Sequence, residues 1–304
     1  MTPLLLAPLL VGAVLAVALS VNAQLGKRLS SPLTGGLVSF SVGSTALLLA
    51  WLAFGLRPEA GALAAVPPLL WTGGPLGAFF LVATIFFLPR LGAAATAGLQ
   101  IAGQMLSSAV MDQYGLLGVP LDPVSVTGTL GVVLALLGIA VASRASRRSG
   151  PGGGGGAVLP AAAFATGLAI PLQAAVNGGL ERAIDSILLT GTISFLTGTA
   201  LLLALFLAGR ALGRVRPTPA DLKGAPWWIW IGGLCASVFV TGTFVLVQRL
   251  GAAPAIGLAV GGQQVASLVI DRFGLFGLPR RNLTPGRVGG VAALLLGVAL
   301  VEAG

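Results

Sequence analysis

Amides, carboxylates and aromatic rings set within long apolar runs are the side chains of this 304-residue sequence that could bind a solute or move a proton. An amide in hydrocarbon needs a hydrogen-bond partner, and interhelical bonds of that kind are worth about 0.6 to 2 kcal/mol. Asn22 and Gln24 stand in the first apolar run, and Gln173 and Asn177 in the sixth. Gln100 and Gln104 are spaced to share one helix face, and Gln263 and Gln264 sit in a later run. Two such faces could line one substrate-binding cavity; bonding to neighbouring backbone, which would only hold the bundle together, is the other reading. Phe40 and Phe195 could stack on a substrate or pack against helices. Asp112 and Asp271 end their runs just before glycine-rich turns. A carboxylate there could carry a coupling proton or cation, or could organise the turn.

Several chemistries are excluded. Histidine is absent and Cys235 is the single cysteine, so no disulfide framework and no cysteine or histidine metal site is expected. Serines without histidine, and carboxylates confined to the edges of the runs, form no catalytic constellation; no catalytic residue, enzyme activity or cofactor is expected. No Asp, Glu, Lys or Arg lies mid-run, where each would cost about 2.5 to 3.5 kcal/mol and would mark a charge relay. Neutral or zwitterionic solutes fit such a sequence better than ions.

These residues need elements to hold them in place. Hydrophobic residues make up 56% of the chain and charged residues 8%, against about a quarter charged in soluble domains. Ten apolar runs follow one another, at 3–24, 34–56, 67–88, 93–111, 124–143, 157–176, 186–208, 227–247, 252–270 and 288–301. A bilayer core of about 30 Å takes about 20 helical residues, because every backbone polar group must be paired within the segment. Most runs are long enough; the last is short. The first has a signal-like Val21-Asn22-Ala23 but lacks a positive n-region, so it is expected to remain as a helix.

The chain also contains itself twice. Asn22, Ser31, Gly36, Ser39, Phe40 and Gly43 match Asn177, Ser186, Gly191, Ser194, Phe195 and Gly198 at an offset of 155. Gly103, Gln104, Ser108, Asp112, Gly115, Gly118 and Pro120 match Gly262, Gln263, Ser267, Asp271, Gly274, Gly277 and Pro279 at an offset of 159. Polar matches in apolar sequence point to duplication. Ser39 with Gly43, and Ser194 with Gly198, repeat a small residue every four positions, which suits close helix packing. Residues 1–143 and 157–304 are expected to be the two repeats, joined by a basic, glycine-rich linker at 144–156. Five spans per repeat is an odd number, so the second repeat must be inverted.

Charge placement fits that count. One side would hold Lys27, Arg28, Arg90, Arg144, Arg147, Arg148, Arg210, Arg214, Arg216, Lys223, Arg272, Arg280, Arg281 and Arg287, and the other only Arg57, Arg182 and Arg249. Basic loops stay cytoplasmic, which predicts both termini outside. The net charge of +9 is thereby read as topology and not as nucleic-acid binding.

The stretch VNAQLGKRLSSPLTGGLVSFSVG, its echo AVNGGLERAIDSILLTGTISFLTG, and the Gln–Ser–Asp–Gly–Gly–Pro block in each half resemble the YdcZ-type family of the drug/metabolite transporter superfamily. Members resemble five-helix units that pair in opposite orientation, or two units fused as here. The resemblance implies an all-α, EamA/DMT-like fold in a bacterial plasma membrane, with ten transmembrane helices as a 5+5 inverted repeat. It further implies a carrier of a metabolite or drug-like small molecule, with the lipid bilayer and that substrate as partners and a fused pseudo-dimer that can act as a monomer. Small multidrug-resistance members of the superfamily depend on a glutamate in their first helix; none stands here, which disfavours proton-coupled cation export. A non-transporting or lipid-handling scaffold is the alternative.

Overall fold

The computed structural model describes residues 3–55, 58–59, 61–91, 93–123, 125–147, 158–213, 224–280 and 282–302. Most of the linker, Arg57, Arg214, Arg216, Lys223, Arg281 and Gly304 lie outside the described residues, as do the side chains of Arg144, Arg147 and Arg287.

Among the described residues the regular structure is helical. The first half comprises α1 (Pro3–Arg28), α2 (Pro32–Phe54), α3 (Gly73–Leu91), α4 (Ala93–Tyr114) and α5 (Val126–Arg147). The second half comprises α6 (Val158–Gly167), α7 (Ala169–Ile184), α8 (Ile187–Ala211), α9 (Ile231–Leu250), α10 (Ala252–Phe273) and α11 (Pro285–Glu302). The eleventh helix arises because the sixth span is two pieces. Pro171 has no N–H to offer the Gly167 carbonyl, so the hydrogen-bond ladder lapses at Leu168 although its backbone stays right-handed helical.

Equivalent residues build equivalent joints. Ser31 caps α2 by accepting from the Thr34 N–H at 3.2 Å, and Ser186 caps α8 by accepting from the Leu189 N–H at 3.4 Å. The residue before each cap, Ser30 and Asp185, is left-handed at φ 50° and 48°. After α4 the chain turns through Gly115, Leu117 and Gly118 with φ of 58°, 57° and 75°; after α10, Gly274, Phe276 and Gly277 repeat the turn at 64°, 55° and 71°. The glycines take that region freely, whereas the central Leu and Phe must be held there.

Close helix packing ties each half to the other. A Cβ on Gly12 of α1 would overlap the Ala259 carbonyl of α10; its equivalent, Gly167 of α6, meets the Gln100 carbonyl of α4 in the same way. Gly138 of α5 abuts the backbone at Gly290 and Leu294 of α11, while Gly297 of α11 abuts Gly131 and Ala135 of α5. That reciprocity requires α5 and α11 to run antiparallel. The same holds for α2 and α8, where Gly43 meets Phe195 and Gly198 meets Phe40. The halves are therefore inverted about a pseudo-twofold axis between α2 and α8. Two pairs of repeat equivalents touch each other along it: Phe40 stacks on Phe195 with centroids 4.8 Å apart, and the Ser44 and Thr199 hydroxyls are 2.8 Å apart.

The molecule is apolar outside. Leu49, Leu52, Phe54, Leu130 and Leu207 are all more than half exposed, while Asn22, Gln100, Asn177 and Thr190 are buried. Seven helices among the described residues are long and apolar enough to cross a membrane, and shorter apolar stretches run through Val126–Gly138 and Val288–Leu300. This is the inside-out polarity of a polytopic membrane protein.

Candidate functional site

A small cavity of about 30 Å³ lies on the pseudo-twofold axis. Its wall is built from repeat equivalents: Leu15 with Ile170, Ala18 with Gln173, Phe40 with Phe195, Gly77 with Ala236, Phe80 with Phe239, and Leu81 with Val240. Helices α1, α2 and α3 thus face α7, α8 and α9 across it. Asn22 is the further polar residue on the wall, and among the described residues no charged side chain borders the space.

The amides separate into two groups. Asn22 is fully buried, with neither its oxygen nor its nitrogen bonded, and Gln173 is 3% exposed with Nε2 unpartnered. Both face the cavity. Asn177 is close to it in sequence terms but is engaged in packing: its Nδ2 donates to Ser194 Oγ at 3.1 Å, and its oxygen lies against Gly73 at the start of α3. The equivalent contact sets the Asn22 oxygen against Gly232 at the start of α9. In both places a Cβ would overlap the amide, which accounts for glycine there.

The other amides border different surfaces. Gln100 donates from Nε2 to Thr84 Oγ1 at 2.8 Å and to Thr166 Oγ1 at 3.0 Å, joining α3, α4 and α6. Gln104 and Gln263 are buried at equivalent places on α4 and α10, with Gln263 Oε1 unpartnered, and Gln264 is partly buried. None of these four lines the axial cavity. Gln24 reaches the end of the bundle, where Nε2 donates to the Gly277 carbonyl at 3.1 Å.

Asp112 is buried at the end of α4, and its two oxygens accept from the Ala252 N–H at 2.7 Å and from the Ala253 N–H. It caps the start of α10, where a carboxylate meets both unpaired donors and the positive helix end. Asp271, its equivalent on α10, is partly buried. Neither carboxylate borders the cavity. Among the described residues no three His, Cys, Asp or Glu side chains gather to hold a metal ion.

Phe80, Phe239 and Gly77 are wall residues that the sequence reading did not single out. The signal was present, because the 159-residue offset extends through the third span, pairing Gly73 with Gly232, Phe80 with Phe239 and Thr84 with Thr243.

The family model described as "Putative inner membrane exporter, YdcZ" matches twice, at residues 3–141 and 158–300. The chain belongs to that family. It is similar to the "Inner membrane protein YdcZ" of Escherichia coli (strain K12), at 26% identity over 138 residues that make up 45% of this chain and 90% of that protein. The relative is therefore about one repeat long. A crystal structure superposes with a TM-score of 0.68 over 97% of this chain and 96% of that one, at 18% identity, a likeness of fold alone. Membership of the YdcZ family, with the apolar exterior, makes this an integral membrane protein of the transporter class.

Proposed function

We propose that the chain moves a small neutral or zwitterionic molecule, a metabolite or drug-like compound, across the inner membrane by alternating access, with the axial cavity as the binding site. The observation that carries this reading is that the cavity straddles the pseudo-twofold axis and is walled by equivalent residues of two inverted halves. Rocking the halves would exchange the environments of equivalent positions, opening the same cavity to opposite sides in turn.

Two end contacts suit such a cycle. Arg182 Nη2 donates toward the Leu117 carbonyl at 3.4 Å, tying α7 to the turn after α4, and Gln24 ties α1 to the equivalent turn after α10. Inversion puts these turns at opposite ends, so each is a candidate latch for one side. The basic loops direct both termini outward in this reading. The two halves are fused, so one chain carries both and a monomer suffices.

The test is transport by the purified chain in proteoliposomes, screened with a metabolite and drug library chosen by thermal shift. Saturable uptake with counterflow is expected. Flux no higher than in empty liposomes for every compound that binds would count against transport and favour a scaffold.

A further inference from the structure

The cavity wall departs from the repeat reciprocally at one place. Gln173 of α7 is equivalent to Ala18 of α1, and Gly77 of α3 is equivalent to Ala236 of α9; all four line the cavity. The nearest atoms to a Cβ built on Gly77 are the nitrogen, carbon and oxygen of the Gln173 carboxamide. A glycine on α3 thus makes room for a long polar side chain from α7. The equivalent positions in the other half carry two alanines and no amide.

The Gln173 nitrogen is buried and has no partner among the described residues. A buried amide with an unmade bond is costly, and a membrane interior offers it no water. Asn22 is the other amide on the wall, with both polar atoms free, whereas its equivalent Asn177 is bonded to Ser194 and does not border the cavity. The remaining wall is Phe40, Phe195, Phe80, Phe239 and aliphatic side chains. An ion placed there would be buried without a counter-charge.

Building on the axial cavity as the binding site, we propose that Gln173 determines specificity. It donates from Nε2 to an acceptor at one end of a small neutral solute whose flat apolar body enters among the four rings when the halves part and widen the cavity. The Gln173 amide stands on one side of the twofold only, so the solute binds in one orientation.

Benzamide, with benzoate and benzylamine as charged analogues, probes this directly by calorimetric titration of the purified full chain. The wild type should bind benzamide saturably and the two ions at least about tenfold more weakly. Gln173→Met, which keeps the volume and removes the donor, should weaken benzamide about tenfold, the effect of one good hydrogen bond. Adding Ala18→Gln and Ala236→Gly to that variant moves the amide to its symmetry-related position and should restore affinity to within about threefold. Benzamide binding unchanged by Gln173→Met, not restored by the relocated amide, or undetectable in the wild type would each overturn the proposal. Ala18→Phe, which fills the cavity, separates the two levels. If it abolishes binding while Gln173→Met does not, the cavity stands and the role of Gln173 falls; if Ala18→Phe leaves benzamide bound, the cavity itself is not the site.

Discussion

In the second half Asn177 donates to Ser194, while in the first half the equivalent Asn22 and Ser39 have no hydrogen-bond partner for their side chains among the described residues. Gln100 of the first half joins three helices, where the second half has Ala259 in its place. The backbone joints behave differently. The serine caps, the three-residue left-handed turns and the glycine contacts between α1 and α10 and between α6 and α4 recur in both halves. Duplicated halves have thus kept the contacts that let helices approach and have diverged in how their polar side chains are hydrogen-bonded. A polar group freed from packing in one half is available to a solute.

The prediction with the largest effect is all-or-none. Ser30 and Asp185 are exposed repeat equivalents in the same left-handed conformation. With Cys235 replaced by Ala, an impermeant maleimide on intact cells should label Asp185→Cys and not Ser30→Cys; equal labelling would break the inversion on which the comparison rests. Next come the rings on the axis. Phe40→Ala and Phe195→Ala should each destabilise by about 3 to 5 kcal/mol, and similar losses in thermal unfolding would mark the axis as symmetric. Asp112→Ala removes two charge-assisted bonds that cross between the halves and should cost about 2 kcal/mol in the same assay. The smallest effect is the sharpest contrast: Ser194→Ala should cost about 1 kcal/mol, and Ser39→Ala close to nothing, because the hydroxyl it removes has no partner.

The repeat was legible because polar residues in apolar sequence align only if they are kept for a reason, and the odd number of spans then required inversion. The break in the sixth span was also written in the sequence, at Pro171, but periodicity alone does not separate a broken span from a continuous one. The division of the amides was hidden. Whether a glutamine lines a cavity or bonds a neighbouring helix depends on how each helix is rotated in the bundle, so Gln100 and Gln173 look alike in sequence. Gln100 meets Thr84 and Thr166 only once α3, α4 and α6 are assembled. Asp112 likewise reads as the end of its own helix, whereas its partners are the first N–H groups of α10, far along the chain.

Ala18, which is 1% exposed on the cavity wall, gives the most direct measurement. In a Cys235→Ala chain, Ala18→Cys should react with an impermeant thiol reagent in intact cells and again in inside-out vesicles, since a carrier that alternates must open the axial cavity to both sides. Reaction from one side only, or from neither, would contradict it.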